Sequence, residues 1–384
     1  MKKFVQELVL TLSVALFASA TCSAGFAKYV DITIQNYTGN EVANFPVLVK
    51  IDATKIPGVY TDVKNAGADM KFTDATGVTE YPYDVDVWDS TGTSLVWVKV
   101  PNLANGATFR MYYGDATQTV NEGSTDVWTG YAGVWHLSTG LGDSVEGGTD
   151  AVAVSPTAPL AAGAIGGGYK ISPESVTSGA KEGAIYCPDT TSVDYSAGFT
   201  LSLWMNNVSA SDSWDGQLFF ATCSEQWEKK GGFAGLANTW PNDGRETYFY
   251  NGNGGGKLYH KSAPPLWDNN NWHLYTIVYN GTSVKSYVDG IYGGSEYAIA
   301  VSMRGLPLTL GNYSNADYSK IGTSDSAGIS WKGGVDECRF TTALKSVDWL
   351  RAEYLVATTD VTTFGEPQEA GPTVQVLPQG VIVK

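Results

Sequence analysis

The chain has 384 residues, a formal charge of −15 and only 16% charged residues, alongside 44 glycines, 22 tyrosines and 12 tryptophans. Few charges with many glycines and aromatic residues point to an exported, turn-rich, all-β protein. The negative charge opposes a polyanion, so nucleic acid is excluded as the expected partner, and the length allows two domains with ordinary cores.

At the amino terminus Lys2 and Lys3 precede the largely apolar run Leu8–Ala20, and small residues fall at Ala18, Ala20 and Ala24. That order reads as a secretory signal peptide over residues 1–24, too short to span a bilayer comfortably. The protein is therefore expected outside the cell, on the cell surface or in a periplasm, with no transmembrane segment after cleavage. Losing two lysines and one glutamate moves the charge to about −16. Cys187, Cys223 and Cys338 remain. Spacing leaves open whether two of them form a bridge or all are buried free thiols.

From Tyr29 the segments "YVDITIQNY", "FPVLVKID", "MKFTD", "YDVDVWD", "SLVWVKVP" and "TFRMYYGD" alternate apolar and polar residues between turn signals. This spacing predicts a β-sandwich over residues 28–128. Within "DVDVWD" the alternation puts Asp84 and Asp86 on one face, read here as a solvated strand edge rather than an acid/base pair. The blocks "NFPVLVKID", "GADMKFTDATG", "YPYDVDVWD", "LVWVKVPNL" and "FRMYYGD" resemble, in this order, the bacterial domain of unknown function DUF2341. That resemblance implies a fold and no activity.

A second β-rich region runs over residues 129–360. In "NNNWHLYTIVYNGTSVKSYVDGIYGG" Trp272, Leu274, Thr276 and Val278 share one face, and His273, Tyr275, Ile277 and Tyr279 the other. Breaks at Asn280-Gly281 and Asp289-Gly290 predict consecutive antiparallel strands. "SVDWLRAEYLVA" predicts a helix capped by Ser346, with Trp349, Leu350, Tyr354 and Leu355 as its apolar face, packing one end of the sandwich or the domain interface. Residues 361–384 contain three prolines and read as a tail, either linker or extended strand. "VWHL", "FTLSLW", "WHLYTIVYNG", "VDG" and the final "VDECRF" resemble the concanavalin A-like, LamG-type jelly roll. The expected fold is thus two β-sandwich domains, the second a jelly roll, with a short C-terminal helix.

Catalytic patterns are weak. The laminarinase-like Glu-x-Asp-x-x-Glu string, a Gly-x-Ser-x-Gly elbow, Walker spacing and zinc-type spacing are all missing from the sequence. His136, His260 and His273 read as structural strand positions. The LamG resemblance implies a single Ca²⁺ site where "GDSVEGGTD" meets the final strand, with Asp143, Asp150 and Asp336 as candidate ligands. Sugar recognition needs aromatic platforms beside polar partners, and Trp214, Trp227, Trp240 and Trp267 stand in polar, turn-rich settings that suit it. The expected function is a secreted, non-catalytic protein binding a polysaccharide, cell-surface glycan or other surface ligand. Alternatives are an adhesive protein binding other surface proteins and a polysaccharide-degrading glycoside hydrolase.

Overall fold

The computed structural model describes residues 25–121, 123–172, 183–207, 217–222, 232–238, 246–251, 260–261, 270–302, 305–313, 330–371, 375–376 and 382–383. Trp214, Trp227, Trp240, Trp267, Cys223 and the leader segment 1–24 lie outside them. Among the described residues the protein is all-β apart from short helical turns and the helix Val347–Thr358. Among the described residues no helix is long and apolar enough to cross a membrane.

The first sandwich pairs two antiparallel sheets. One orders the strands Thr362–Phe364, Lys28–Ile34, Thr108–Tyr113, Met70–Asp74 and Glu80–Tyr81, with Gln368–Glu369 also paired to Lys28–Ile34. The other orders Val42–Ile51, Ser94–Leu103 and Tyr83–Val87. Val30, Ile32, Val47, Phe72, Val98 and Met111, all inaccessible to solvent, fill the space between them. Here the structure adds to the tail expectation: Thr362–Phe364 and Gln368–Glu369 are strands of the first sandwich, with Ile32 opposite Phe364 and Lys28 opposite Glu369.

The jelly roll inserts between these parts. Its eight-stranded sheet orders Ala158–Leu160, Gly168–Lys170, Gly333–Thr341, Phe199–Asn207, Trp272–Tyr279, Ser283–Val288 and Ile291–Ala298, and Gly133–Trp135 also pairs with Gly333–Thr341. Its seven-stranded sheet orders His260–Lys261, Glu246–Asn251, Phe233–Asn238, Gln217–Ala221, Leu308–Leu310, Ala184–Cys187 and Val152–Val154. The period-2 expectation holds: Tyr275, Ile277 and Tyr279 enter the core between these sheets with Phe199, Leu201 and Leu203. Leu274 and Trp204 face the other way and join the core of the first sandwich. Cys187 and Cys338 are buried free thiols.

The helix sits at that junction. Ser346 caps it by accepting from the Trp349 N–H at 3.2 Å. Trp349 packs on Phe45 of the first sandwich, and Tyr354 stacks on Trp204 of the jelly roll, with centroids 4.8 and 5.9 Å apart. The buried face is wider than the expected stripe and includes Ala352, Glu353 and Val356.

The Asp289-Gly290 hairpin turn also docks on the helix. Both residues have positive φ, and a Cβ on Gly290 would lie 2.7 Å from Arg351 Cα. Gly290→Ala is expected to cost on the order of 1–3 kcal/mol in urea unfolding. Gly294→Ala, also at positive φ but with nothing within 4 Å of its added Cβ, separates the clash from the dihedral strain.

Candidate functional site between the domains

The strand Gly333–Thr341 carries the site because its alternation breaks. Ser202 pairs with Arg339 and Trp204 with Asp336, so Leu203 faces both Glu337 and Cys338, and Glu337 adopts φ 48. This β-bulge keeps Val335, Cys338 and Phe340 in the jelly-roll core while turning Asp336, Glu337 and Arg339 outward toward the first sandwich. His136 follows the strand Gly133–Trp135. Trp135 and Leu137 point into the jelly-roll core, which leaves Val134 and His136 on the outward face. From the other domain, the strand Tyr83–Val87 buries Tyr83 and presents Asp84 and Asp86 to the jelly roll.

These groups interlock. His136 Nδ1 lies 2.7 Å from Glu337 Oε1, and Nε2 lies 3.3 Å from Asp84 Oδ2. Asp84 also accepts from Trp128 Nε1 at 2.8 Å, and Asp86 accepts from the Ser138 hydroxyl at 3.2 Å. Arg339 donates Nε and Nη2 to Glu337 Oε2 at 3.2 and 2.9 Å, and its Nη1 stands 3.7 Å from Glu353 Oε1. Ser202 donates to the other Glu353 oxygen. The guanidinium lies over Trp97 at 4.3 Å and Trp128 at 4.8 Å, while Trp97 stacks on the His136 ring.

Four carboxylates, Asp84, Asp86, Glu337 and Glu353, thus face Arg339 or His136, and Asp336 lies beside Glu337 and Asp86. Burial would discharge His136, but the Glu337 and Asp86 carboxylates hold its pKa well above the usual value. For Glu337 the charges of His136 and Arg339 outweigh burial and pull its pKa down. Burial and the Glu337 charge push Asp336 well up, and burial takes Asp86 up to about 7. A pocket of 190 Å³ opens beside Asp86, His136, Ser138, Asp143 and Ser144. A larger hollow of 660 Å³ lies on the first sandwich by Phe72, Tyr81 and Gln118.

The solvated-edge reading of Asp84 and Asp86 is therefore corrected. The edge strand's outer face is covered by the jelly roll, so both carboxylates work inside the interface. His136 is more than a strand position, whereas His273 is held as expected, with Nδ1 2.8 Å from Asp289 Oδ2. His260 falls in a short strand.

Asp143, Asp150 and Asp336 do not converge. Asp143 bridges to Trp135 across the free edge of its strand, accepting from the Val134 and Val145 N–H groups, and Asp150 is exposed. Asp336 is fully buried against Ile165, whose N–H donates to its Oδ2 at 2.8 Å. Among the described residues, the one group of three or more His, Cys, Asp or Glu whose ligand atoms lie within 4.8 Å of one another is Asp86, His136 and Glu337. Sequence reasoning read Asp86 as a solvated edge and His136 as a strand position, and from the final-strand pair Asp336-Glu337 it took Asp336 as the ligand. The available signal was three charged residues, Asp336, Glu337 and Arg339, in a final strand that is otherwise mostly apolar.

The comparisons agree with this architecture. Residues 66–131 match the model of the domain of unknown function DUF2341, and residues 178–349 match that of the concanavalin A-like lectin/glucanases superfamily. The chain is a two-domain β protein with a lectin-like jelly roll. More particularly, it carries a DUF2341 domain followed by a LamG-type concanavalin A-like domain. No curated protein matches the sequence. Among solved structures, domain 4 of AbnA, an extracellular arabinanase from Geobacillus stearothermophilus, in complex with arabinotriose, is similar at 13% identity and TM-score 0.40, over 58% of this chain and 96% of that one. The binding domain of Paraclostridial Mosquitocidal Protein 1 is similar at 9% identity and TM-score 0.39, over 59% and 52%. The botulinum neurotoxin serotype D binding domain is similar at 16% and 0.40, over 59% and 50%. The chain spans about half the length of the two toxin domains.

Two outcomes follow. Arg339→Met leaves Glu337 and Glu353 buried without their guanidinium and is expected to cost about 3–5 kcal/mol in urea unfolding. A second concerns Asp143, whose Oδ2 is buried without a partner and whose pKa burial raises from 3.8 to about 6. Its folded pKa exceeds the unfolded one, so its contribution is full below about pH 4 and is lost as pH rises through about 6. Asp143→Asn keeps an acceptor for both N–H groups and should flatten that fall, melting at pH 8 no lower than wild type. A lower melting temperature there would mean the ionised carboxylate is paired.

Proposed function

We propose that this is an exported, non-catalytic binding protein whose jelly roll takes carbohydrate or another surface ligand at one end of its seven-stranded sheet. The observation that carries the reading is a register. Gln217 pairs with Ala237, Asn238 with Glu246, and Glu246 with Lys261, so these strand ends line up along a single end of the sheet. Chain segments 208–216, 239–245 and 262–269, which carry Trp214, Trp240 and Trp267, each connect to that line of strand ends. Segment 223–231, with Trp227, connects at the opposite end, beyond Ala221 and before Phe233. The superfamily match over residues 178–349 supports a lectin-type role for the same domain. Indole rings stack on the apolar faces of sugar rings, while nearby Asn and Asp side chains supply hydrogen bonds.

A glycan array run on the full chain checks this. Binding to a subset of glycans is expected, with Trp214→Ala, Trp240→Ala and Trp267→Ala each reducing it at least about tenfold and Trp227→Ala reducing it less. Release of reducing sugar from a polysaccharide would overturn the non-catalytic part. Capture of a cell-surface protein with no glycan bound would favour the adhesive alternative.

A further inference from the structure

We propose that Asp86, His136 and Glu337 form a divalent metal site of the zinc class that fastens the DUF2341 domain to the jelly roll. One ligand comes from the first sandwich and two from the second, so a bound ion is shared between the domains. Two observations carry this independently of the proposed sugar site. One ligand atom from each residue lies within 4.8 Å of the others, and Asp86 and His136 also line a pocket of 190 Å³ that has room for water as a further ligand.

Each ligand also has the outer partner that a metal site requires. A bound ion would replace the 2.7 Å contact of His136 Nδ1 with Glu337 Oε1 and take Nδ1 as its ligand, leaving the Nε2 proton for Asp84 Oδ2 at 3.3 Å. Asp84 is itself held by Trp128 Nε1. The second Glu337 oxygen is fixed by Arg339, and Asp86 by Ser138.

The donor set decides the class of metal. Ca²⁺ wants six to eight oxygens, whereas one imidazole nitrogen and two carboxylates in a compact cluster suit Zn²⁺ or Co²⁺. This moves the expected metal from the loop acids to the interface, and from a hard cation to a borderline one.

The test uses untagged full chain, stripped with chelator and titrated separately with Zn²⁺, Co²⁺ and Ca²⁺ by calorimetry. Zn²⁺ is expected to bind one per chain and raise the melting temperature, with Ca²⁺ much weaker. Asp86→Asn, which retains an acceptor for Ser138, and Glu337→Gln should each weaken Zn²⁺ by about 10–100-fold or more. Asp150→Asn should leave it unchanged. In wild type, Co²⁺ should shift the ring signals of a single histidine, a readout that stands if a variant fails to fold. Absence of stoichiometric Zn²⁺ binding, unchanged affinity in Asp86→Asn, equal loss in Asp150→Asn, or no histidine shift with Co²⁺ would each overturn the proposal.

Discussion

A single guanidinium organises the interface. Arg339 is almost fully buried, and it survives there because it is paired with Glu337, faced by Glu353 and laid over Trp97 and Trp128. Glu353 comes from the helix and Trp97 from the first sandwich, so one side chain binds three elements at once. A lysine in its place would offer a point charge without the planar fork or the stacking surface. The carboxylates and the imidazole gather around this cation, and the apolar contacts of Trp204, Leu274 and Ile165 seal the surrounding interface from water.

The bulge at Glu337 makes that arrangement possible. In a regular strand Glu337 would point into the jelly-roll core among Phe and Leu side chains, where an ionised carboxylate is prohibitive. One extra residue turns it outward and sends Cys338 inward in its place. The backbone irregularity thus sorts charged from apolar residues, and it does so where the two domains meet.

Much of the fold was legible because its signals are local. The Asp289-Gly290 turn, the alternation of Trp272 to Tyr279 and the Ser346 cap each depend on neighbours a few residues away. The interface was not legible for the opposite reason. Alternation placed Asp84 and Asp86 on one face correctly, but whether that face meets water depends on His136 and Glu337, which are distant in the chain. The positive φ of Glu337 left no mark, since glutamate is not a residue that announces it. The tryptophans Trp214, Trp227, Trp240 and Trp267 were visible as a composition signal and lie outside the described residues.

The pairing of Lys28–Ile34 with Thr362–Phe364 has a consequence for how the protein is made. A domain that begins near residue 28 is completed only when residues 362–369 arrive, so the jelly roll is in effect an insertion into the first sandwich. Contacts this far apart in sequence cannot form during early synthesis, and closing their loop costs less entropy once the intervening domain has become compact. The order of assembly is then inside out: the inserted jelly roll condenses first, its ends come together, and the outer domain closes around the already folded one.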